Sequence, residues 1–349
     1  MKILYIMHID VEWIKQRPHF MAEELNEKCE ILVLYRFPLR SAGRKSYKHK
    51  FRLLPLIPIP FRSHKIMSSV DDFVQYLWIK LIKIYFRFDV VYITFPDLYP
   101  YVCSEAFFFD CMDNSVEFYT SDYSRKKIGR LEEKCLQTSV GNIFSSEYLF
   151  MAKRVIGKAN IVVRNGISRR LLNKNTEITN VLPKRILYFG TISHWMDFDM
   201  LVTSTRDLDI EIHFVGPIED GISIPSEFIY HNSMDHEALI KFAAEFSCFI
   251  MPFKINDLIL GVDPVKLYEY ISLKGMIISI YYPELNHFAD FIHFYTTDLE
   301  LRNLLLRFAC GELKIKGSIE REKFLQKSTW DQRAREVFNF ILEVENKNG

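Results

Sequence analysis

The sequence is poor in several features, and each shortage removes a class of answer. No apolar run in the 349 residues approaches the roughly 18–20 positions of a membrane-spanning helix, so a soluble or peripheral protein is expected. The N-terminus, MKILYIMHIDVEW, reaches Asp10 and Glu12 too early for a secretory signal. Glycine is sparse, at 13 residues, and no G-x-G-x-x-G follows a strand-like run, which argues against a dinucleotide-dependent dehydrogenase. Cys29, Cys103, Cys111, Cys135, Cys248 and Cys310 form no C-x-x-C pair. Several sit in apolar runs, where a thiol packs as a small hydrophobe, so a reducing cytoplasm fits better than a disulfide framework.

Acidic residues are missing altogether from Ile31 to Val70. The same stretch carries Arg36, Arg40, Arg44, Lys45, Lys48, Lys50, Arg52, Arg62 and Lys65, although the whole chain has a net charge of only +1. So local a bias points to an anionic partner. No helix-turn-helix, zinc or RNA-binding pattern accompanies it, so nucleic acid is not expected. An anionic membrane surface, met through Arg36–Lys65 and the apolar run Leu53–Pro60, is the expected partner. The helical run Tyr76–Phe88 places Lys80, Lys83 and Arg87 on one face of an otherwise apolar segment. Alone it reads as a sheet-packing helix with a basic edge; beside the acid-free loop it also fits an interfacial helix.

What is present is α/β alternation. The length suits two domains of roughly 150–180 residues. Lys2–Met7, Glu30–Tyr35, Val90–Thr94, Ala106–Asp110, Asn142–Ser145 and Ile161–Val163 read as buried strands with helices between, such as Gln16–Lys28 and Asp71–Phe88. A polar linker at Ser168–Lys184 precedes a second series: Ile186–Phe189, Glu211–Val215, Glu227–Tyr230, Cys248–Met251 and Met276–Ile280. Strands alternating with helices imply parallel sheets, which bind ligands at the carboxyl ends of their strands. The expected domains are 1–168 and 184–325, with a C-terminal helix at 326–349 that packs back on the first.

The sharpest segment is VDPVKLYEYISLKGMIIS, Val262–Ser279. Asp263 is suited to cap a helix and Pro264 to open it. Lys266 then lies in the first turn, and Glu269 three residues later on the same face. Free N–H groups and the helix dipole make such a start favourable for a diphosphate, with Lys266 adding a point charge. The pattern P-x-K-x-x-E-Y followed by G-x-x-I-S resembles the nucleotide-binding helix of bacterial GT-B glycosyltransferases. Further segments agree, in family order: Gln16-Arg17-Pro18-His19, Phe109-Asp110-Cys111-Met112-Asp113, Phe144-Ser145-Ser146-Glu147-Tyr148-Leu149, Arg164-Asn165-Gly166-Ile167 and Tyr188-Phe189-Gly190-Thr191-Ile192. The Asp110 segment is similar to that of teichuronic-acid and capsule transferases.

The resemblance implies two Rossmann-like domains facing across a cleft, and a cytoplasmic enzyme peripheral to the inner membrane face. It would move a sugar from a nucleoside diphosphate, UDP-linked by resemblance, to a hydroxyl of a lipid-linked or polysaccharide acceptor in cell-surface glycan synthesis. The donor site would comprise Gly190, Thr191, His194, Pro264, Val265, Lys266 and Glu269, with Glu269 on the ribose and Lys266 on the diphosphate. Asp110, Asp113 and Lys266 are the catalytic candidates. His8, Asp10, Trp13, Arg17 and His19 are the acceptor candidates. No cofactor beyond the donor and no metal is expected; the D-x-D runs Asp197–Asp199 and Asp207–Asp209 read as caps and turns. The sequence departs from the family pattern at Gly261, where relatives carry a second Glu, and in ISHWMDFD, Ile192–Asp199, which lacks their Arg and Lys. These departures keep two alternatives open, a nucleotide-sugar epimerase and a non-catalytic sugar-nucleotide-binding subunit.

Overall fold

The computed structural model describes residues 1–12, 15–38, 51–60, 65–172 and 184–348. They divide into two compact units, Met1–Asn165 with Trp330–Gly349, and Gly166–Thr329. The first unit runs β1 (Lys2–Met7), α1 (Arg17–Asn26), β2 (Glu30–Arg36), β3 (Arg52–Leu56), α2 (Lys65–Phe86), β4 (Val90–Ile93), α3 (Tyr99–Val102), β5 (Phe107–Cys111), α4 (Asp122–Thr138), β6 (Gly141–Phe144), α5 (Glu147–Lys153) and β7 (Ala159–Val162). Its seven strands are all parallel, in the order β3-β2-β1-β4-β5-β6-β7.

Strand β1 shows how composition drives this layering. KILYIM is apolar at every position after Lys2. Ile3, Tyr5 and Met7 pack with Met21, Ala22 and Leu25 of α1, whereas Leu4 and Ile6 pack with Ile79 and Ile82 of α2. Neighbouring side chains of a strand point to opposite faces, so such a strand needs a helical layer on each side. The apolar run at Leu53–Pro60 contributes most of β3 at its start: Leu56 is buried and the strand pairs with β2, while Ile57 beyond it is exposed. Pro55 is tolerated there because β3 is an edge strand and one side of it needs no N–H donor.

The second unit runs α6 (Arg169–Leu172), β8 (Arg185–Phe189), α7 (Phe198–Thr205), β9 (Glu211–Val215), β10 (Ile229–His231), α8 (His236–Ala243), β11 (Cys248–Met251), α9 (Asp257–Leu260), α10 (Val265–Ser272), β12 (Met276–Ile280), β13 (His293–Tyr295), α11 (Asp298–Ala309) and α12 (Glu320–Lys327). Its six parallel strands lie in the order β10-β9-β8-β11-β12-β13. Their apolar side chains form one contiguous core with α10 and α11. The last helix, α13 (Trp330–Asn348), rejoins the first unit. There Ala334, Val337 and Ile341 share the cluster of α1, and Phe20 stacks on Trp330 at 5.0 Å.

In both sheets the chain starts in the middle, winds to one edge, then crosses back to build the other side. The strand order therefore reverses between β1 and β4 in the first unit and between β8 and β11 in the second. Helices flanking such a reversal leave opposite ways, opening a crevice at the carboxyl ends of those strands.

Candidate functional site

At the reversal of the second sheet, Gly190 ends β8 with φ +136° and Gly216 ends β9 with φ +139°. Both positions demand glycine on two counts. That φ is strained for any residue with a Cβ, and the space is taken. A methyl at Gly216 would lie 2.1 Å from Gly190 O, and one at Gly190 would lie 1.7 Å from Lys266 Cε. The alkyl chain of Lys266 thus crosses the bare Cα of Gly190, bringing two residues 76 positions apart, Gly190 and Lys266, into contact at the strand end. Burial lowers the Lys266 pKa, against an opposing pull from Glu269.

The helix bearing Lys266 is α10. Pro264, not Asp263, occupies its N-cap, in extended conformation and with no side-chain cap. The first-turn N–H groups that a helix cannot satisfy internally therefore receive no capping carboxylate. Asp263 is held elsewhere. Its buried carboxylate accepts from Tyr268 Oη at 3.0 Å and lies 3.2 Å from His287 Nε2. Tyr268 is two residues, or about 200°, around the helix from Lys266, so the acid sits away from the lysine's face. Glu269 does share the Lys266 face. It is largely shielded and lies 3.5 Å from Nε2 of His236, the first residue of α8.

The loop after β8 is sewn to the loop after β11: Asp197 N donates to Pro252 O at 2.8 Å, and Lys254 N to Trp195 O at 2.7 Å. Thr191 accepts from Tyr188 Oη through its carbonyl, at 2.8 Å. His194 is exposed and meets Ser193 and Glu219, at 3.0 and 3.3 Å. Asp197 caps α7 by accepting from Met200 N. Two residues here escaped the sequence reading. Lys254, half exposed beside the reversal, brings a cation to Ile192–Asp199, which has none, its Nζ 4.0 Å from Asp199 Oδ2. His236 faces Glu269 from another helix, and no local spacing announces it.

In the first unit the reversal gathers residues from the ends of β1, β4 and β5. His8 stacks on Phe95 at 4.7 Å. Its Nδ1 lies 2.8 Å from Thr94 Oγ1, and the Thr94 hydroxyl donates to Ile6 O. That hydroxyl proton being committed, the proton of the His8 contact belongs to Nδ1, leaving Nε2 as acceptor. Burial pushes the His8 pKa down to about 3, so the ring is neutral near neutral pH. Asp113 lines a small pocket with Thr94, Phe95, Pro96, Ser115 and Glu132. Burial raises its pKa to about 6, the Asp110 charge adds to the rise, and Arg17 and Lys153 oppose it.

Three sequence-predicted residues are built into the scaffold. Asp110 is fully buried in a bidentate pair with Arg17, at 3.0–3.2 Å, so it presents no unpaired carboxylate to a hydroxyl. Arg17, itself buried and expected at the acceptor, also donates to Val163 O, Arg164 O and Asn165 Oδ1, tying α1 and β5 to the end of β7. His19, also expected at the acceptor, is buried, accepting from Gln16 N and donating from Nε2 to Asp10 O. It closes the capping box of α1. The carboxylate of Asp10 accepts from Glu12 N. Trp13 lies outside the described residues. Of the basic membrane candidates, Arg36 pairs with Asp97 at 2.8 Å, and those at 39–50 and 61–64 lie outside the described residues.

No protein-family model and no curated protein matches the sequence. Solved structures do match in fold. The lipopolysaccharide outer core galactosyltransferase WaaB superposes with a TM-score of 0.67 at 12% identity, over 98% of this chain and 99% of its own. Sucrose-phosphate synthase from Thermosynechococcus elongatus gives 0.75 at 10% identity, over 99% of both chains. HepE of Anabaena, solved in complex with UDP, gives 0.70 at 10%, over 98% of this chain and 100% of its own. The two parallel-sheet α/β units have the GT-B fold of these glycosyltransferases.

Proposed function

We propose that the protein is a glycosyltransferase whose second unit binds a nucleoside diphosphate sugar, UDP-linked, and whose first unit receives a hydroxyl of a lipid-linked or polysaccharide acceptor. The observation that carries this reading is the Lys266 side chain laid across Gly190 at the strand reversal, beside an uncapped helix start. A cation, free amides and a glycine-cleared floor converge where a diphosphate would need them. The UDP of the HepE structure supports the choice of nucleotide.

In the reaction, the bond from the sugar's anomeric carbon to the diphosphate oxygen breaks. A bond to the acceptor oxygen forms, and the hydroxyl proton leaves to a base. Lys266 and the first-turn amides of α10 answer the charge that builds on the departing diphosphate, with Lys254 as a second cation. Glu269 accepts from the ribose hydroxyls, and Gly190, Thr191 and His194 shape the floor. Asp113 is the base in an inverting reaction, since its pKa of about 6 leaves it ionised at neutral pH yet basic enough to take a proton. His8 and Asp10 line the acceptor side, while Arg17, Asp110 and His19 hold that loop in place. The reading assigns no metal and no further cofactor.

Calorimetry with UDP and UDP-sugars, followed by product analysis with and without membrane extract as acceptor, tests it. Binding plus acceptor-dependent transfer is the expected result. Isomerised donor without acceptor would establish the epimerase instead, binding without turnover the partner subunit, and no nucleotide binding would refute all three.

A further inference from the structure

Helix α2 is apolar on two opposite sides. Toward the sheet it buries Ile79 and Ile82, along with Asp71 and Gln75. On the far side Ile66, Phe73, Leu77, Leu81, Ile84 and Tyr85 all face outward, with Ile84 75% and Tyr85 80% exposed. At 100° per residue those six fall in one sector of about 120°. They run the length of a 22-residue helix, about 33 Å. Trp78, 40% exposed, lies at the border of the sector. Ordinary solvated helices turn a polar face outward, and soluble proteins seldom expose a contiguous apolar strip of this length.

Among the described residues of α2, the charge bordering the stripe is positive. Lys80 stands next to it, its Nζ 4.9 Å above the Tyr76 ring. Arg87 is exposed just past the helix end. Lys83 is already paired with Glu105. The acids of α2 itself are off the stripe. Asp71 is buried, accepting from Ile59 N and Gln75 Nε2, and Asp72 lies toward the Lys83 side. The chain entering α2 has no acidic residue from Ile31 to Val70. Its segment at 57–60 is fastened to the helix through Ile59 N and the Ile57 carbonyl.

We propose that this outward face of α2 is a membrane-docking surface, which lies in the plane of a bilayer rich in anionic head groups. Its aliphatic side chains enter the acyl boundary, Trp78 and Tyr85 sit at the head-group level, and Lys80 and Arg87 meet lipid phosphates. A second copy of the chain is a poorer occupant. Pairing stripe on stripe would bring these cations together with no acidic residue on the stripe to answer them, whereas anionic head groups answer them directly. The inference stands on α2 alone and does not require the donor site.

The test is flotation of the full-length protein with vesicles of phosphatidylcholine alone or mixed with phosphatidylglycerol, at low and high salt. The wild type should float with the anionic vesicles, less so in salt, and hardly at all with neutral ones. Leu81→Glu/Ile84→Glu, at exposed positions that leave the melting curve unchanged, should lower partitioning about tenfold or more. Lys80→Glu/Arg87→Glu should reduce it and abolish the lipid selectivity. Wild-type protein that stays in solution, or an apolar-face variant that floats equally, overturns the proposal. So does a dimer in sedimentation equilibrium that the same variant dissociates without any vesicle binding. UDP calorimetry on the double variant separates this outcome from the donor site, because nucleotide affinity should not change.

Discussion

Lys266 and Gly190 show how much can rest on one missing methyl group. A lysine ammonium facing a diphosphate makes a charge-assisted contact worth about 1.5–3 kcal/mol. Lys266→Ala should therefore weaken UDP binding by about tenfold or more in calorimetry while leaving the melting temperature near its original value. Gly190→Ala forces a Cβ into the lysine chain at φ +136°, so it should lower both stability and UDP affinity. The Arg17–Asp110 pair predicts the reverse pattern. Removing the guanidinium by Arg17→Met leaves a fully buried carboxylate uncompensated, a loss of about 3–5 kcal/mol in denaturant unfolding. Arg17→Met/Asp110→Leu should recover much of that loss, because the stranded charge is gone. Neither residue could be recognised as half of this pair from sequence. They stand 93 positions apart, and each also fits a site motif.

At the level of elements, short and mostly apolar strand runs were the legible part. KILYIM, FFFDC, CFIM and MIISI announce buried parallel strands without ambiguity. Strand β3 was illegible because RLLPL contains a proline, acceptable only at an edge that the sequence does not reveal. Strand β13 has three residues, HFY, too few for any period to show. The helix carrying Lys266 was legible in place and length, but its cap was not. Asp263 is a good capping residue locally, and its partners Tyr268 and His287 draw it aside. Their removal makes a prediction. Tyr268→Phe frees one constraint on Asp263, and a carboxylate nearer the helix start would repel the diphosphate, so UDP affinity should fall with little change in fold stability.

Across the whole molecule, two partly buried groups give opposite pH dependences. His8 has a folded pKa of about 3 against an ordinary 6.5. Below pH 6.5 the unfolded chain takes up a proton that the native state refuses, so this group withdraws stability as pH falls toward 3. Asp113, at about 6 against 3.8, does the reverse: the native state holds the proton first, and stability rises as pH falls through 6 toward 3.8. Denaturant unfolding at pH 7.5 and 4.5 should show His8→Gln less acid-sensitive than the wild type, and Asp113→Asn more so. If Asp113 is the base, transfer should switch on as pH rises through about 6.

The chain leaves the first unit at Asn165 and regains it only at Trp330, where α13 seals the same cluster as α1. On the ribosome, the half begun first is therefore the half finished last, waiting on residues translated after the entire second unit. That second unit is an insert whose two ends meet, Ile167 N donating to Ser328 O at 2.9 Å beside an Ile167–Thr329 bridge. A stop codon ahead of Trp330 would thus spoil the beginning of the protein while sparing its middle, and a protease trimming the tail would do the same.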